Sequence, residues 1–377
     1  MEVFFATGLD NRPGRPFILD SNMRWLLPIN HFLRDVSIIE GKTYSPHTWR
    51  AYAYHLFDFL SFCERIERSW NEVLELHLAA YRNELMTTPS PLTKRRLAAG
   101  TVNGRLTTVC LFLKFALRKG YITQLPFSFK DVRIRRSYDD DMFAHLHGSS
   151  TTVEANRLML RTYESELEIP SNEETGRFIS SLGSWRDGLI AETMWVSGLR
   201  REEVCTLSVN ALPEDPFSLK AKRHKVRIFG KGRKWRSVYL PVRLLRRIAR
   251  YIELERNPLV RKYKTKTDQI WVSDRGRPIR PSTINKFFNA NSARCGVKVT
   301  PHDLRRSYAT NRLIFLEEKG APVPCKIVQL ELGHSHRKTT EKYIRYVEQM
   351  RAEVIASHGD FIDQLTAHIK ENDERQI

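Results

Sequence analysis

From Ser45 onward, Trp49, Tyr52, Leu56, Phe59, Leu60 and Cys63 recur at steps of three and four residues. That spacing places them on one face of an α-helix, a face that must be buried against other elements. Ser45-Pro46 supplies the start, because serine can accept from the orphan amides and proline is tolerated at the first helical position. The pattern returns over Thr101–Lys119, with Val102, Leu106, Val109, Leu113 and Leu117, and stops at Gly120. Asn71–Met86 reads as a helix between them. A small all-helical module is therefore expected over 41–130. Residues 1–40 read as an extension, with a turn at Arg12-Pro13-Gly14-Arg15-Pro16, a short strand at Phe17–Leu19 and helical spacing over Met23–Val36.

Residues 131–170 change character. Arg133, Arg135 and Arg136 precede Asp139–Asp141 and then Gly148-Ser149-Ser150-Thr151-Thr152, the composition of a linker with helical pieces. A second domain begins at 171, where Ser171 and Glu174 have the spacing of a capping box, and extends to 350. Within it Asp187–Cys205 reads as one helix. Val226–Phe229 and Ser237–Leu240 read as strands joined by Gly230-Lys231-Gly232. Helices follow at 242–255, 283–295, 301–317, 325–331 and 339–350. The tail, 351–377, carries Val354, Ile355, Phe361, Ile362 and Leu365 at helical spacing, as a helix that packs on its own domain or docks on a neighbouring copy.

Charge narrows the function. Of 377 residues, 62 are Lys or Arg and 43 Asp or Glu, leaving +19 and a pI near 9.8. Such a chain gathers polyanions, and nucleic acid is the first candidate. Arg95, Arg96, Arg105, Lys114 and Arg118 decorate the first module and are candidate DNA contacts, although any helical surface can carry solvated cations. The five cysteines are odd in number and scattered, which argues against a disulfide framework or a zinc finger. The N-terminus lacks the order of a signal peptide, and no run of about 18 apolar residues is present. A soluble, intracellular protein with no membrane partner is expected.

Several residues between 198 and 343 can carry chemistry. Arg200 follows a Gly-Leu pair, Lys231 sits in a glycine turn, and His302 and Arg305 share one helix face. His334 follows Leu-Gly, and Tyr343 comes nine residues later. Each alone has an ordinary explanation: surface arginine, turn lysine, capping histidine, packed tyrosine. Arg201, Lys234 and Tyr346 compete with Arg200, Lys231 and Tyr343. His334 and His336 make no metal site without an acidic or cysteine ligand nearby.

Together these residues resemble the tyrosine recombinase (phage integrase) family. Ser197-Gly198-Leu199-Arg200-Arg201-Glu202-Glu203-Val204 is similar to its first arginine box, and Gly230-Lys231-Gly232-Arg233-Lys234 to its β-hairpin lysine. His302-Asp303-Leu304-Arg305 resembles its His-x-x-Arg box. Leu332-Gly333-His334-Ser335 and Thr339-Thr340-Glu341-Lys342-Tyr343 resemble the last box and the nucleophile. Ser45–Tyr52 and Thr101–Leu106 resemble helix starts of the family's core-binding domain more weakly. The match departs at Glu202, where relatives often have serine, and at Arg306, where they often have histidine.

The resemblance implies a mainly α, two-domain DNA clamp. A helical core-binding domain would precede a mostly helical catalytic domain with a small antiparallel β-sheet. It implies DNA cleavage and rejoining through a 3′-phosphotyrosine at Tyr343, with strand exchange between two sites. Arg200 and Arg305 would hold the phosphate, since a guanidinium binds two phosphate oxygens and stays protonated. His302 and His334 would donate hydrogen bonds or move protons, with His302 as base. Lys231 would protonate the leaving oxygen, and Glu203 would hold a cation in place. No metal, ATP or other cofactor is required. The implied partners are duplex DNA at recombination sites, three further copies of the chain in a tetramer, and helper proteins. A type IB topoisomerase shares this active-site chemistry, and a non-catalytic DNA-binding factor is the rival of another class.

Overall fold

The computed structural model describes residues 1–6, 14–39, 45–90, 93–134, 151–162, 168–230, 234–334 and 339–351. Lys231, His336, residues 135–150 of the expected linker and the tail beyond 351 lie outside the described residues. The chain divides into two units, Met1–Glu164 and Ser165–Ile377. Both are mainly helical, as expected; the small antiparallel sheet expected in the second is present, and the first carries two two-stranded sheets besides its helices.

In the first unit, α1 (Leu27–Arg34), α2 (Pro46–Arg65), α3 (Glu75–Thr87) and α4 (Ala99–Arg118) enclose an aromatic core. Phe32, Phe59, Tyr81, Phe112 and Phe115 are buried there, several of them edge to face. The helix expected over Met23–Val36 begins only at Leu27. Asp20 accepts from the amides of Asn22 and Arg24, and Met23 takes a φ of +59°, so the chain turns there instead.

The extension belongs to this core. β1 (Glu2–Ala6) pairs with β2 (Arg15–Leu19), and the Asn30 side chain holds both the amide and the carbonyl of buried Ile18, each at 2.7 Å. Where a linker with helical pieces is expected, β3 (Phe129–Ile134) pairs antiparallel with β4 (Thr151–Asn156). The chain after β4 stays on this unit. Leu158 is buried in the core, and the Asn103 side chain on α4 bonds both the amide and the carbonyl of Leu160 at 2.8 and 2.9 Å.

The second unit begins with α5 (Asn172–Ser180). Its Ser171–Glu174 capping box forms as expected, with bonds of 2.8 and 3.1 Å. The helix expected over Asp187–Cys205 is broken into α6 (Trp185–Ser197) and α7 (Arg201–Cys205). Gly198 ends α6 with a φ of +62°, and a Cβ there would lie 2.5 Å from Tyr308 Cδ1 and 2.8 Å from Leu332 Cδ2. Backbone conformation and crowding both demand glycine. Gly198→Ala should therefore cost about 2 kcal/mol or more. A lower urea midpoint at unchanged slope would show it.

β5 (Arg223–Gly230) and β6 (Lys234–Pro241) form the expected hairpin, with Gly230 opposite Lys234. Val226, Ile228, Val238 and Leu240 face the core, together with α8 (Val242–Tyr251). After α9 (Asn257–Lys262), α10 (Pro281–Cys295), α11 (Pro301–Glu318) and α12 (Pro324–Leu332) complete the layer behind the site. The last helix among the described residues, α13, spans 339–351. No described helix is long and apolar enough to cross a membrane.

Candidate active site

The second unit holds a cleft of about 570 Å³ lined by Arg200, His302, Arg305 and His334, together with Asn285 and Asn289 of α10. Four of the six residues picked out by sequence thus share one cavity. A fifth, Tyr343, is 5% exposed. Its ring stacks on that of His334, with centroids 6.3 Å apart and planes 20° apart. The sixth, Lys231, lies outside the described residues, and the strands that carry its turn end at Gly230 and Lys234.

Arg305 organises the cavity. It lies on α11, one turn in from a capping box in which Thr300 and Asp303 exchange bonds of 2.9 and 3.2 Å. Its Nη1 donates to the Gly198 carbonyl and its Nη2 to the Leu332 carbonyl, each at 2.6 Å. These oxygens end α6 and α12, so a single guanidinium satisfies orphan carbonyls at the negative ends of two helices. Burial pushes its pKa down, as do Arg200 and Arg236, to about 9. It therefore stays charged at neutral pH.

Arg200 and Arg201 both line the cleft but bond different partners. Arg200 Nη1 donates to Glu203 Oε1 at 2.9 Å and its Nη2 to the Gly333 carbonyl at 3.3 Å. The Glu203 carboxylate also receives the Arg200 amide at 2.7 Å, which fixes the start of α7. Arg201 instead reaches its exposed neighbour Glu202 at 2.6 Å. Glu203 is buried, and burial raises its pKa. Arg236, the Arg200 amide and the Arg200 charge more than reverse that, so it remains a carboxylate. Arg236 of β6, which sequence reasoning missed, donates to Glu203 Oε2 at 2.6 Å. A signal was present: strand alternation places it on the inward face with Val238 and Leu240.

Both histidines are held neutral. Burial lowers the His302 pKa, helped by Arg306 and Arg305. Burial, Arg305, Arg200 and Arg236 bring His334 down to about 4, and its Nδ1 lies 3.0 Å from Thr340 Oγ1. Burial raises the Tyr343 pKa, while Arg305, Arg306 and Arg200 pull the other way. Neutral imidazoles beside fixed cations can accept a proton or donate a hydrogen bond.

Stability should follow from these shifts. An unfolded histidine takes up a proton near pH 6.5, whereas folded His334 resists until about 4. The unfolded state then binds more protons between those values, so stability is full above 6.5 and falls as pH drops toward 4. Urea unfolding at pH 4.5, 5.5, 6.5 and 7.5 should show that loss, and His334→Gln should reduce its slope.

In the first unit, Arg95 and Arg96 are exposed ahead of α4. Arg105 is less available, being 24% exposed and bonded to Asp58 at 2.7 Å. The Lys114 ammonium lies 4.8 Å from the Phe129 ring centre and, with Arg118, lines a separate hollow of about 840 Å³. Among the described residues, no group of three His, Cys, Asp or Glu side chains could hold a metal ion.

Residues 171–350 match the model of the phage integrase family, and residues 29–120 match that of the phage integrase N-terminal SAM-like domain. The chain is 28% identical over 321 residues to the tyrosine recombinase XerC of Halalkalibacterium halodurans, covering 84% of this chain and 92% of that protein. It is 24% identical to XerC of Anoxybacillus flavithermus, covering 88% and 97%. In fold it is similar to the XerH site-specific recombinase bound to a palindromic difH substrate, at a TM-score of 0.56 and 16% identity, over 86% of this chain and 81% of that one. A lambda integrase dimer bound to a core site is similar at a TM-score of 0.53 and 15% identity, over 83% and 94%. The two family models match separate stretches that together make up more than half of the chain, and the chain belongs to the phage integrase family of tyrosine recombinases.

Proposed function

We propose that this protein is a site-specific DNA recombinase that cuts and rejoins strands through a 3′-phosphotyrosine at Tyr343. The observation that carries the reading is a cleft where three guanidiniums, those of Arg200, Arg201 and Arg305, and two neutral imidazoles converge, with a buried tyrosine ring against one of the imidazoles. Arg200 and Arg305 hold the non-bridging oxygens and stabilise the charge they gain in the transition state. The Tyr343 oxygen bonds to phosphorus, and its proton passes to His302. The bond from phosphorus to the 5′ oxygen breaks, and Lys231, or Lys234 in its place, protonates the leaving oxygen. His334 donates a hydrogen bond to the phosphate. A 5′-hydroxyl from a second DNA then reverses the step, so no cofactor is consumed.

Arg95, Arg96, Lys114 and Arg118 contact duplex phosphates from the first unit, and Arg105 adds less because Asp58 already holds it. Four protomers assemble on two sites, with or without helper proteins, in the bacterial cytoplasm on nucleoid DNA. The proposed domain division is a DNA-binding domain at 41–130 whose core also takes in the extension at 1–40 and the β3–β4 pair of segment 131–170, a catalytic domain at 171–350 and a tail at 351–377.

The test is to incubate the protein with fragmented DNA of its source genome in EDTA, quench with SDS and sequence the DNA held covalently. Recovery of one discrete site supports a site-specific recombinase. Covalent capture without sequence preference, together with relaxation of supercoiled plasmid, would favour a topoisomerase. Absence of any captured DNA would contradict cleavage by this chain.

A further inference from the structure

Arg236 stands outside every sequence box, yet it touches two of them. It is 9% exposed, and its Nη2 meets Glu203 Oε2 at 2.6 Å. Its Nη1 donates to the Glu331 carbonyl near the end of α12. Its stem crosses Gly333 so closely that a Cβ there would lie 2.9 Å from Arg236 Cδ. The glycine of the Leu-Gly-His segment is thus required by Arg236 as well as by its own φ of +63°.

Glu203 is 3% exposed, and three guanidiniums share its one charge. Arg236 lies at 2.6 Å, Arg200 at 2.9 Å and Arg305 at 4.0 Å. A buried carboxylate must be balanced by some cation. Whichever guanidinium does so has less attraction left for a phosphate. Arg200 and Arg305 line the cleft, whereas Arg236 is not among its lining residues.

We propose that Arg236 is a positioning residue that serves as the main counter-ion of Glu203, so that the carboxylate offsets less of the charge that Arg200 and Arg305 bring to the scissile phosphate. The inference rests on the reading of the cleft as a phosphodiester-cleaving site. With Arg236 in place, three guanidiniums and one carboxylate leave two positive charges for the phosphate. Without it, Glu203 draws in Arg305 and tightens on Arg200, and the phosphate loses part of both. The same side chain ties β6 to the end of α12, and so keeps the base of the lysine hairpin in register with the His334 segment.

The test measures single-turnover cleavage at saturating DNA, and DNA affinity separately at fixed salt. Arg236→Gln should slow cleavage by about 100-fold, the scale of losing one electrostatic donor, with affinity held within about threefold. Removing the competing carboxylate as well should help. The double variant Glu203→Gln/Arg236→Gln should cleave about tenfold faster than Arg236→Gln alone, a coupling that a purely structural arginine would not produce. A double variant no faster than the single one overturns the proposal. So does wild-type cleavage by Arg236→Gln, or a loss of affinity as large as the loss of rate.

If circular dichroism shows that Arg236→Gln does not fold, Arg236→Lys carries the test. Its ammonium keeps the charge at Glu203 while giving up the Glu331 carbonyl. It should cleave within about tenfold of wild type, and a folded variant slower than that contradicts the counter-ion role. Failure of the underlying reading would look different, because the wild-type protein would then form no adduct, or Tyr343→Phe would still form one.

Discussion

Tyr343→Phe should form no covalent DNA adduct, whereas Tyr346→Phe should form it at close to the wild-type rate. The phenolic hydroxyl is the only group removed. Tyr343 is packed among Ala309, Leu313, Leu332 and Val347, and phenylalanine keeps that packing. The loss should exceed about 10⁴-fold, the scale of losing a covalent nucleophile, while the fold and DNA affinity persist. Tyr343, buried against His334, is influenced by Arg305, Arg306 and Arg200. Tyr346 is half-buried one turn further along α13. In the free protein burial outweighs the arginines and holds the Tyr343 phenol protonated, so a neutral base must take its proton as it attacks. His302, held neutral by burial and by Arg306 and Arg305, is suited to that task. Adduct counted on denaturing gels with DNA containing the recovered site would check both variants.

Arg305→Lys should lower single-turnover cleavage by about 10³-fold, the range seen when an arginine that stabilises phosphoryl transfer is lost. Charge is kept in this variant, so a failure would have to come from geometry. One ammonium cannot reach the Gly198 and Leu332 carbonyls together while also presenting a planar pair of donors to a phosphate. One of those buried carbonyls is left unpaired, and the ends of α6 and α12 loosen where Arg200 and His334 are held. The variant should therefore also melt earlier, and affinity for uncleaved DNA, which depends on many phosphate contacts, should change less than rate. Cleavage within tenfold of wild type would mean that Arg305 acts as a point charge and not as a fork.

Much of this was legible from the chain. The apolar stripes of α2 and α4 are local and strong, so their helices could be read within two residues of their ends. The boxes around Arg200, Arg305 and His334 were visible because each pairs a charged residue with a glycine or a helix start. Legibility failed where the cause lies far away in sequence. The break at Gly198 is enforced by Tyr308 and Leu332, both more than a hundred residues later. The β3–β4 pair joins segments separated by residues 135–150, so no tight-turn signal announces it. Arg236 was hidden in a hairpin rich in Lys and Arg, where composition suggests solvated charge. Only strand alternation marks it as inward. Asn285 and Asn289 reach the cleft because α10 packs beside α7, a tertiary fact that no spacing in the sequence contains.

The most direct test of the central claim is to digest the trapped adduct and locate the modified residue by mass spectrometry. The account predicts a nucleotide joined through phosphate to Tyr343, a free 5′-hydroxyl on the released strand, and the same yield in EDTA. A nucleotide on Tyr346 or any other residue, or cleavage that disappears with EDTA, would contradict it.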